Sequence, residues 1–129
     1  MPHPNEALLR NAYAAFARGD LEEYLRHCTD DIVFHVPGRN PLAGTYTRAE
    51  FFSPFISRLM ELCDRTFRET VLDVVANDHR GLVLAEHEFQ RRGRTHVYRT
   101  AHVYRIENGR LAEFREYPED LHALDAAWS

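Results

Sequence analysis

The second half of the chain constrains the fold most, because long β-rich runs alternate there with short turn signals. The runs cover residues 66–77, 82–90, 95–106 and 110–117. The three connecting segments, NDHRG, RRGR and ENG, are rich in residues that accept unusual backbone dihedrals. This order predicts four antiparallel strands joined as a meander.

The beginning of the chain carries helical periodicity instead. Apolar residues recur at helical spacing over residues 4–18, and Gly19 follows as a helix stop. Asp20 and Glu23 then form a capping box. We therefore expect two helices joined by a tight turn, with the apolar face of the short second helix extending to Cys28.

A strand and a broken helix are predicted between these two parts. The run IVFHV at 32–36 favours a short strand, and the segment GRNPLAGTY after it is predicted to be loop. Thr47 and Glu50 form a capping box for a third helix. Pro54 must break or kink that helix because proline lacks a backbone N–H, so we expect a short turn followed by a longer helix.

A last helix is predicted from Pro118 to Trp128. The chain has 129 residues, of which 44% are hydrophobic and 28% charged, as in one globular domain over residues 1–129. Helices that precede a long meander predict an α+β fold, in which a curved antiparallel sheet packs on the three helices of the N-terminal half. A pocket between sheet and helices is then expected.

Charge and composition disfavour several classes of partner. Sixteen basic and twenty acidic side chains leave a net charge of −4, which argues against nucleic acid as a partner. No segment approaches the ~20 apolar residues that a membrane-spanning helix needs, so we expect a cytoplasmic protein without a membrane partner. Cys28 and Cys63 are too few for a disulfide framework and are expected to remain thiols. No glycine-rich phosphate loop occurs, and no cofactor is expected.

Two segments, GDLEEYLRHCTDDIVFHVPGRNPLAGTY and HVYRIENGRLAEFREYPEDLHALDAAW, resemble the SnoaL-like branch of the nuclear transport factor 2-like superfamily. The likeness covers almost the whole chain. It implies a cone-shaped α+β barrel of the nuclear transport factor 2-like or cystatin-like type, with a mostly apolar cavity and a homodimer formed through the outer sheet. The superfamily contains both enzymes and proteins that are not enzymes, so the fold alone does not determine the function.

The alternation of side chains along 95–106 separates an inner from an outer face. Arg99 and Arg105 favour the odd-numbered residues as the outer face. Exposed Val97, Ala101 and Val103 on that face favour a self-complementary dimer. The inner set mixes aromatic, aliphatic and polar groups, which is typical of a ligand cavity. It consists of His96, Tyr98, Thr100, His102, Tyr104 and Ile106.

The turn at 107–109 decides whether Glu116 joins this inner face. A two-residue turn at Asn108-Gly109 would place Glu116 on the outer face. A three-residue loop would turn Phe114 and Glu116 inward, with His102 opposite Phe114 and diagonal to Glu116. We favour the three-residue loop, because it buries Phe114 and sends charged neighbours to solvent.

The resemblance implies a catalytic role for Glu116 and His102. SnoaL-like polyketide cyclases use an inward acid on the last strand as general acid/base, assisted by a histidine on the strand before it. Glu116 and His102 occupy the matching places, although Glu replaces the usual Asp. Proton abstraction beside a carbonyl group needs a base whose pKa an apolar pocket raises, so a raised pKa is expected for Glu116. The alternatives are a buried ion pair without turnover and a non-catalytic binding or assembly module.

Ketosteroid isomerase, a worked case of acid–base catalysis in general accounts, is a poor match residue by residue. Its catalytic Asp falls at Val36, its Tyr at Ala12 and its second Asp at His102. The sequence therefore argues against steroid isomerisation. The hydroxyl of Tyr13, one position further along the first helix, reaches the cavity if that helix is suitably rotated.

Further residues are predicted to line the ligand site. His35 lies on the opposite face of its strand from Ile32 and Val36, which favours a rim or interface position. His87 pairs with Tyr98 and points inward if Arg92-Gly93 is the turn, as a pocket residue or as a core histidine. The predicted ligand-binding set is Tyr13, Phe16, His35, Phe55, Leu59, His87, Tyr98, Tyr104 and Phe114, with Trp128 as a further aromatic candidate.

A metal site is not expected from the sequence. His96 and His102 are six residues apart on one strand, which separates them by about 20 Å. Two ligands so far apart cannot hold the same ion, and no HxxxH or CxxC motif occurs. The expected ligand is instead a small hydrophobic molecule, which suits the mostly apolar cavity that the resemblance implies.

Overall fold

The computed structural model describes residues 2–129, which form four α-helices and a six-stranded sheet. The helices are α1 (Pro4–Ala17), α2 (Leu21–Arg26), α3 (Ser57–Leu62) and α4 (Leu121–Trp128). The strands are β1 (Cys28–Val36), β2 (Gly44–Thr47), β3 (Arg68–Ala76), β4 (Arg80–Arg91), β5 (Arg94–Glu107) and β6 (Arg110–Pro118).

The strands follow the order β2-β1-β6-β5-β4-β3 in one sheet. The predicted meander is confirmed, since β3, β4, β5 and β6 pair antiparallel in sequence order. The sheet is mixed rather than purely antiparallel, because β1 pairs parallel with β6. Strand β2 begins at Gly44, inside the predicted loop GRNPLAGTY, and ends at Thr47, one residue after it. The loop prediction is therefore wrong for the end of that segment. Four residues give too short a pattern for strand alternation to be recognised.

Capping side chains set the starts of the first two helices. The imidazole of His3 accepts the backbone N–H of Asn5 at 3.0 Å, and the carboxylate of Asp20 accepts that of Glu23 at 3.1 Å. Of the capping box predicted at Asp20, the bond from the Glu23 N–H to the Asp20 side chain is thus present. Helix α2 ends at Arg26, however, and Cys28 already belongs to β1.

The helical segment before α3 is interrupted next to Pro54, as predicted. Ser53 has extended dihedrals, φ −146° and ψ 125°, just before Pro54. The capping box at its start is present, with the Thr47 N–H donating to Glu50 Oε1 at 2.9 Å. The chain then makes a 3₁₀ turn over Arg48–Glu50 and a wide turn over Phe51–Ile56. Helix α3 has only six residues, which makes it shorter than predicted.

Helix α1 lies directly on the inner face of the sheet. Its Leu9 is fully buried, and a Cβ on Gly81 of β4 would lie 2.5 Å from Leu9 Cδ1. Helix and strand can approach so closely because Gly81 has no side chain. Leu9 belongs to the main apolar cluster between α1 and the sheet. A second apolar cluster lies under α4, where Trp128 stacks on Phe89 with ring centroids 3.9 Å apart. The space between these two clusters holds the candidate site.

The β5–β6 hairpin differs from the prediction in an instructive way. Asn108 and Gly109 have φ +49° and +73° and form a two-residue turn, so the predicted three-residue loop is wrong. A bulge follows, because Ile106 pairs with Leu111 whereas Arg105 pairs with Glu113. The extra residue reverses the alternation of β6. The predicted inward orientation of Phe114 and Glu116 is nevertheless correct, because the bulge places them opposite Tyr104 and His102.

None of the helices within residues 2–129 has the length and apolarity that a membrane span requires. Cys28 and Cys63 are buried free thiols, as predicted. Burial raises the pKa of the Cys28 thiol to about 12. Both cysteines therefore serve as small apolar side chains of the core.

Candidate active site

A cavity of about 70 Å³ opens between the concave face of the sheet and the helices. All of the sequence-predicted site residues except His35 line it, together with Trp128. Aromatic side chains that the sequence reasoning did not select also form its wall. They are Tyr24, Phe34, Phe51 and Phe67.

Glu116 and His102 face each other across β6 and β5. They are direct cross-strand partners, so the predicted diagonal placement is wrong, and Phe114 pairs with Tyr104 instead. The Glu116 Oε2 lies 3.7 Å from His102 Nε2 and accepts the Thr100 hydroxyl at 2.9 Å. Both side chains are less than a tenth exposed. The structure thus places the acid and the imidazole together in the cavity.

A second carboxylate–imidazole pair adjoins the first. Glu69 Oε2 lies 2.7 Å from His87 Nε2 and 3.8 Å from His102 Nδ1. His87 Nδ1 lies 4.0 Å from Glu116 Oε2, so the four groups form one cluster. We call Glu69, His87, His102 and Glu116 the inner cluster.

The sequence reasoning missed Glu69. It is the cross-strand partner of His87 and therefore shares its face of the sheet. A bulge between Val71 and Asp73 shifts the register of β3 against β4. The residues of the turn at 77–81 do not predict this bulge. The available signal was the inward prediction for His87, which calls for a polar partner on the neighbouring strand.

A chain of tyrosine hydroxyls continues from His102 into the core. The Tyr13 hydroxyl lies 2.6 Å from His102 Nδ1 and 2.8 Å from the Tyr104 hydroxyl, which lies 2.8 Å from that of Tyr24. Helix α1 is therefore rotated so that Tyr13 reaches the cavity. Burial raises the pKa of each of these three tyrosines well above its ordinary value, so all three stay neutral hydrogen-bonding groups.

Tyr98 connects the inner cluster to α4. Its hydroxyl accepts the Trp128 indole N–H at 2.9 Å and lies 3.1 Å from His87 Nδ1. The pairing of His87 with Tyr98 and the two-residue turn at Arg92-Gly93 are confirmed. The last helix thus holds one end of the cluster in place.

The electrostatics of Glu116 differ from the expectation. Burial acts to raise the pKa of this carboxyl, but the adjacent His102 and His87 outweigh it, and the pKa of Glu116 lies below its ordinary value. The expected raised pKa is therefore wrong. The physical reason is that two imidazoles stabilise the negative charge more than the apolar wall disfavours it.

His102 and Glu69 show the complementary shifts. Burial acts to lower the pKa of His102, yet the carboxylates of Glu116 and Glu69 raise it above its ordinary value. For Glu69, burial is outweighed by the hydrogen bond and charge of His87, and the pKa is lowered. The cluster accordingly favours the ionised form of both carboxyl groups and the protonated form of the His102 imidazole.

His35 lies outside this cavity, on the outer face of β1. Its Nε2 lies 3.2 Å from Glu113 Oε2, and its Nδ1 lies 3.2 Å from the Thr45 hydroxyl. The predicted position opposite to Ile32 and Val36 is confirmed. A direct role of His35 in the cavity is not supported by this placement.

The structure also brings together groups that could hold a metal ion. One ligand atom each from Glu69, His87 and His102 lies within 4.8 Å of the others. The sequence argument considered only His96 and His102 along one strand. It missed that neighbouring strands bring other ligands to His102.

The positions at which ketosteroid isomerase has its key groups carry different side chains here. Val36 lines the cavity without a carboxyl group, and Ala12 is buried without a hydroxyl. Only His102, in place of the second Asp, offers a polar group. The site is thus built from other residues.

Comparison with known proteins decides the family. A family model described as the SnoaL-like domain matches residues 9–114. This chain belongs to the SnoaL-like family. The resemblance to the SnoaL-like family is thereby confirmed. The predicted α+β fold is confirmed as well, since a solved structure described as an NTF2-like protein shares it.

Individual relatives agree with this assignment. The SnoaL-like chain is 30% identical to the uncharacterized protein Rv0034 of Mycobacterium tuberculosis, over 95% of this chain and 94% of that one. It is 29% identical to Bal32a from a soil-derived mobile gene cassette, with a TM-score of 0.89 over 98% and 97% of the two chains. TerC, co-crystallised with polyporic acid, shares the fold at 18% identity, with a TM-score of 0.83 over 98% and 100%.

Proposed function

We propose that this SnoaL-like protein is an acid–base enzyme that acts on a small hydrophobic carbonyl compound without a cofactor. Cyclisation, isomerisation and dehydration all begin with the required proton transfer, and steroid isomerisation is not proposed. The observation that carries the proposal is the contact of Glu116 with His102 in the wall of an apolar cavity. The family to which the chain belongs, with its polyketide cyclase-like members, supports the same chemistry.

The proposed proton transfer uses both members of the pair. The carboxylate of Glu116 takes a proton from the carbon beside the carbonyl group. The electron pair of that C–H bond forms the C=C bond of the enolate, and the π pair of the C=O bond moves onto the oxygen. His102 donates a hydrogen bond to the enolate oxygen so formed. Because a carboxylate of low pKa is a weak base, the positive charge of His102 supplies most of the stabilisation.

The spacing of the pair leaves room for this role. The 3.7 Å between Glu116 Oε2 and His102 Nε2 is longer than a hydrogen bond, so each group keeps capacity for a substrate atom. The ring of Phe114 lies beside that of His102, with centroids 4.9 Å apart. An apolar or aromatic substrate would pack on this ring while its carbonyl group meets the polar end.

The ligand of TerC is consistent with this substrate class. TerC has been co-crystallised with polyporic acid, and it shares the fold of the present chain. The aromatic wall formed by Phe34, Phe51, Phe55 and Phe114 would suit a ring-bearing carbonyl compound.

A non-catalytic binding module is the alternative. Within residues 2–129 every buried polar side-chain atom has a hydrogen-bond partner. A closed network of this kind also suits a cluster that only holds the cavity in shape. In that case the cavity would bind its ligand without changing it.

A homodimer through the outer face of the sheet belongs to either proposal. Val97 of β5 is 54% exposed, Tyr117 of β6 is 55% exposed and Leu84 of β4 is 36% exposed. Ala101 pairs with both Leu84 and Tyr117, so these side chains form an apolar row across three strands. Covering such a row is a common reason for self-association.

The experiment that tests the enzymatic proposal measures hydrogen exchange in D₂O. The probe is 2-tetralone, an aromatic ketone with exchangeable α-hydrogens, and the readout is deuterium incorporation by NMR. Wild-type protein should accelerate exchange over buffer, and Glu116→Gln should lower the acceleration by about 10²-fold or more. Glu113→Gln, a carboxylate on the outer face of the same strand, is the matched control and should leave the rate unchanged.

Circular dichroism and ligand titration separate the remaining outcomes. If Glu116→Gln is folded and exchanges as fast as wild type, Glu116 is not the base and the proposal fails. If wild type binds 2-tetralone, seen as saturable Trp128 fluorescence change, without accelerating exchange, the binding module is supported instead.

A further inference from the structure

A metal-binding function follows from the atoms that the inner cluster turns toward one another. We propose that His87 Nε2, His102 Nδ1 and Glu69 Oε2 bind a divalent transition metal ion, with Zn²⁺ as the favoured ion. One ligand atom from each of these residues lies within 4.8 Å of the others, and the three residues stand on neighbouring strands. The inference goes beyond the proposed acid–base function, because it uses Glu69, His87 and the other nitrogen of His102.

The donor set suits such an ion. Two imidazoles and one carboxylate are the protein ligands of many zinc sites that keep an open coordination position. Imidazole favours transition metals, whereas Mg²⁺ and Ca²⁺ prefer oxygen ligands alone. The set therefore selects zinc and its neighbours in the first transition row.

The separations are close to what a metal centre requires. Ligand atoms about 2.1 Å from a tetrahedral zinc ion lie roughly 3.4 Å apart. Glu69 Oε2 lies 2.7 Å from His87 Nε2 and 3.8 Å from His102 Nδ1, values on either side of that distance. Small side-chain rotations, without movement of the strands, would bring all three atoms to coordination distance.

The other nitrogen of each imidazole already faces an oxygen. His87 Nδ1 lies 3.1 Å from the Tyr98 hydroxyl, and His102 Nε2 lies 3.7 Å from Glu116 Oε2. Metal-bound histidines characteristically make such contacts, which fix the ring orientation and make the ligand more basic. Glu116 is thus placed to orient His102 in the metal-bound protein.

Burial of two carboxylates favours the binding of a divalent cation. The side chains of Glu69 and Glu116 are 11% and 8% exposed, so two carboxylates share a largely apolar enclosure. Isolated buried charges are costly unless they are paired. One divalent ion would balance both carboxylates while leaving His87 and His102 neutral, which is the form that binds metals.

Metal and proton compete for the same nitrogen atoms. Binding would replace the contact of Glu69 with His87 and that of Tyr13 with His102, whereas Tyr13 would keep Tyr104 as its partner. The proton transfer proposed above accordingly belongs to the metal-free protein. Metal binding is measured without any substrate, so its failure and that of the enzymatic proposal are independent.

The test is a titration of metal-free protein with Co²⁺, followed by displacement with Zn²⁺. Chelator-treated, dialysed protein should bind one Co²⁺ per chain, with the intense visible absorption of a four- or five-coordinate ion. Zn²⁺ should abolish this absorption. His87→Gln and Glu69→Gln should each weaken Co²⁺ binding by about 100-fold, and Glu116→Gln by about 10-fold as an orienting group.

His35→Gln is the matched control, because it removes a histidine that also has a glutamate partner but lies on the outer face. It should leave the titration unchanged. A variant that misfolds does not decide the question, so NMR of wild type is the second measurement. Bound Co²⁺ should shift ring protons of His87 and His102 far outside the normal range. Absence of saturable binding, or binding that shifts only surface histidines, overturns the proposal.

Discussion

The two faces of the sheet carry the same kind of pair in different surroundings. On the concave face, Glu116 meets His102 at 3.7 Å with side chains 8% and 6% exposed. On the convex face, Glu113 of the same strand meets His35 at 3.2 Å with side chains 31% and 27% exposed. The outer contact is shorter, yet solvent and ions screen it. Burial rather than distance therefore decides which pair has chemical consequences.

Inserting one alanine between Glu113 and Phe114 should have the largest effect on this comparison. The insertion shifts the part of β6 that follows the bulge by one residue, so that it would exchange its faces and expose Phe114 and Glu116. We expect a loss of unfolding free energy of about 4 kcal/mol or more, measured by urea denaturation. An Asn108→Ala variant, which leaves the bulge intact, is the comparison. A stable insertion variant with an unchanged NMR spectrum would contradict the register given to β6.

Removing the acid from each pair should separate the faces by energy. Glu116→Ala leaves buried His102 without its cross-strand partner and should lower the unfolding free energy by about 3 kcal/mol. Glu113→Ala removes only a partly exposed contact and should cost about 0 to 1 kcal/mol. Urea denaturation at pH 6 measures both. Equal losses in the two variants would show that burial does not distinguish the pairs.

The pH dependence of stability should follow the shifts in the inner cluster. Because the pKa values of Glu69 and Glu116 are lowered on folding, their contribution is present above the ordinary carboxyl pKa of 4.5 and is lost as the pH falls through the folded values. The pKa of His102 is raised, so its contribution is complete below 6.5 and is lost as the pH rises through the folded value.

The metal-free protein should thus gain most from the cluster between about pH 4.5 and 6.5. Urea midpoints measured across the pH range give the curve, and Glu116→Gln should flatten both sides of it. Glu113→Gln should reproduce the wild-type shape. A wild-type curve that Glu116→Gln leaves unaltered would count against the lowered pKa of Glu116.

A substitution at Val97, which lies on the same convex face as the apolar row of Leu84, Ala101 and Tyr117, should have the smallest effect on the isolated chain. Val97→Glu should change the unfolding free energy of the monomer by less than about 0.5 kcal/mol, since Val97 is 54% exposed. It should nevertheless dissociate the proposed homodimer in light-scattering measurements. Phe52→Glu, at an exposed position outside the sheet, should not. A dimer that tolerates Val97→Glu would place the interface elsewhere.

The predictable part of the site is the part that strand alternation determines locally. Alternation puts His102, Tyr104 and Tyr98 on the inner face correctly, because β5 pairs with β4 without any register shift. Glu116 was placed correctly but for a wrong reason, since the register depends on a bulge that no local pattern marks. Glu69 was missed because its face depends on a second bulge, between Val71 and Asp73. Two-residue periodicity carries no information across such an insertion.

The sequence by itself determined the class of fold, the meander and the residue types that could do acid–base chemistry, because these depend on periodicity, turn chemistry and composition. The resemblance of two segments to a known family indicated the family, which the family model confirmed. Only the tertiary structure decided that Glu69 and His87 join Glu116 and His102 and that the pKa of Glu116 is lowered rather than raised. A pKa depends on every charge within a few ångströms and on exclusion of water. Those neighbours come from strands far apart in the chain, and the bulges that align them are settled by packing of the whole sheet on its helices.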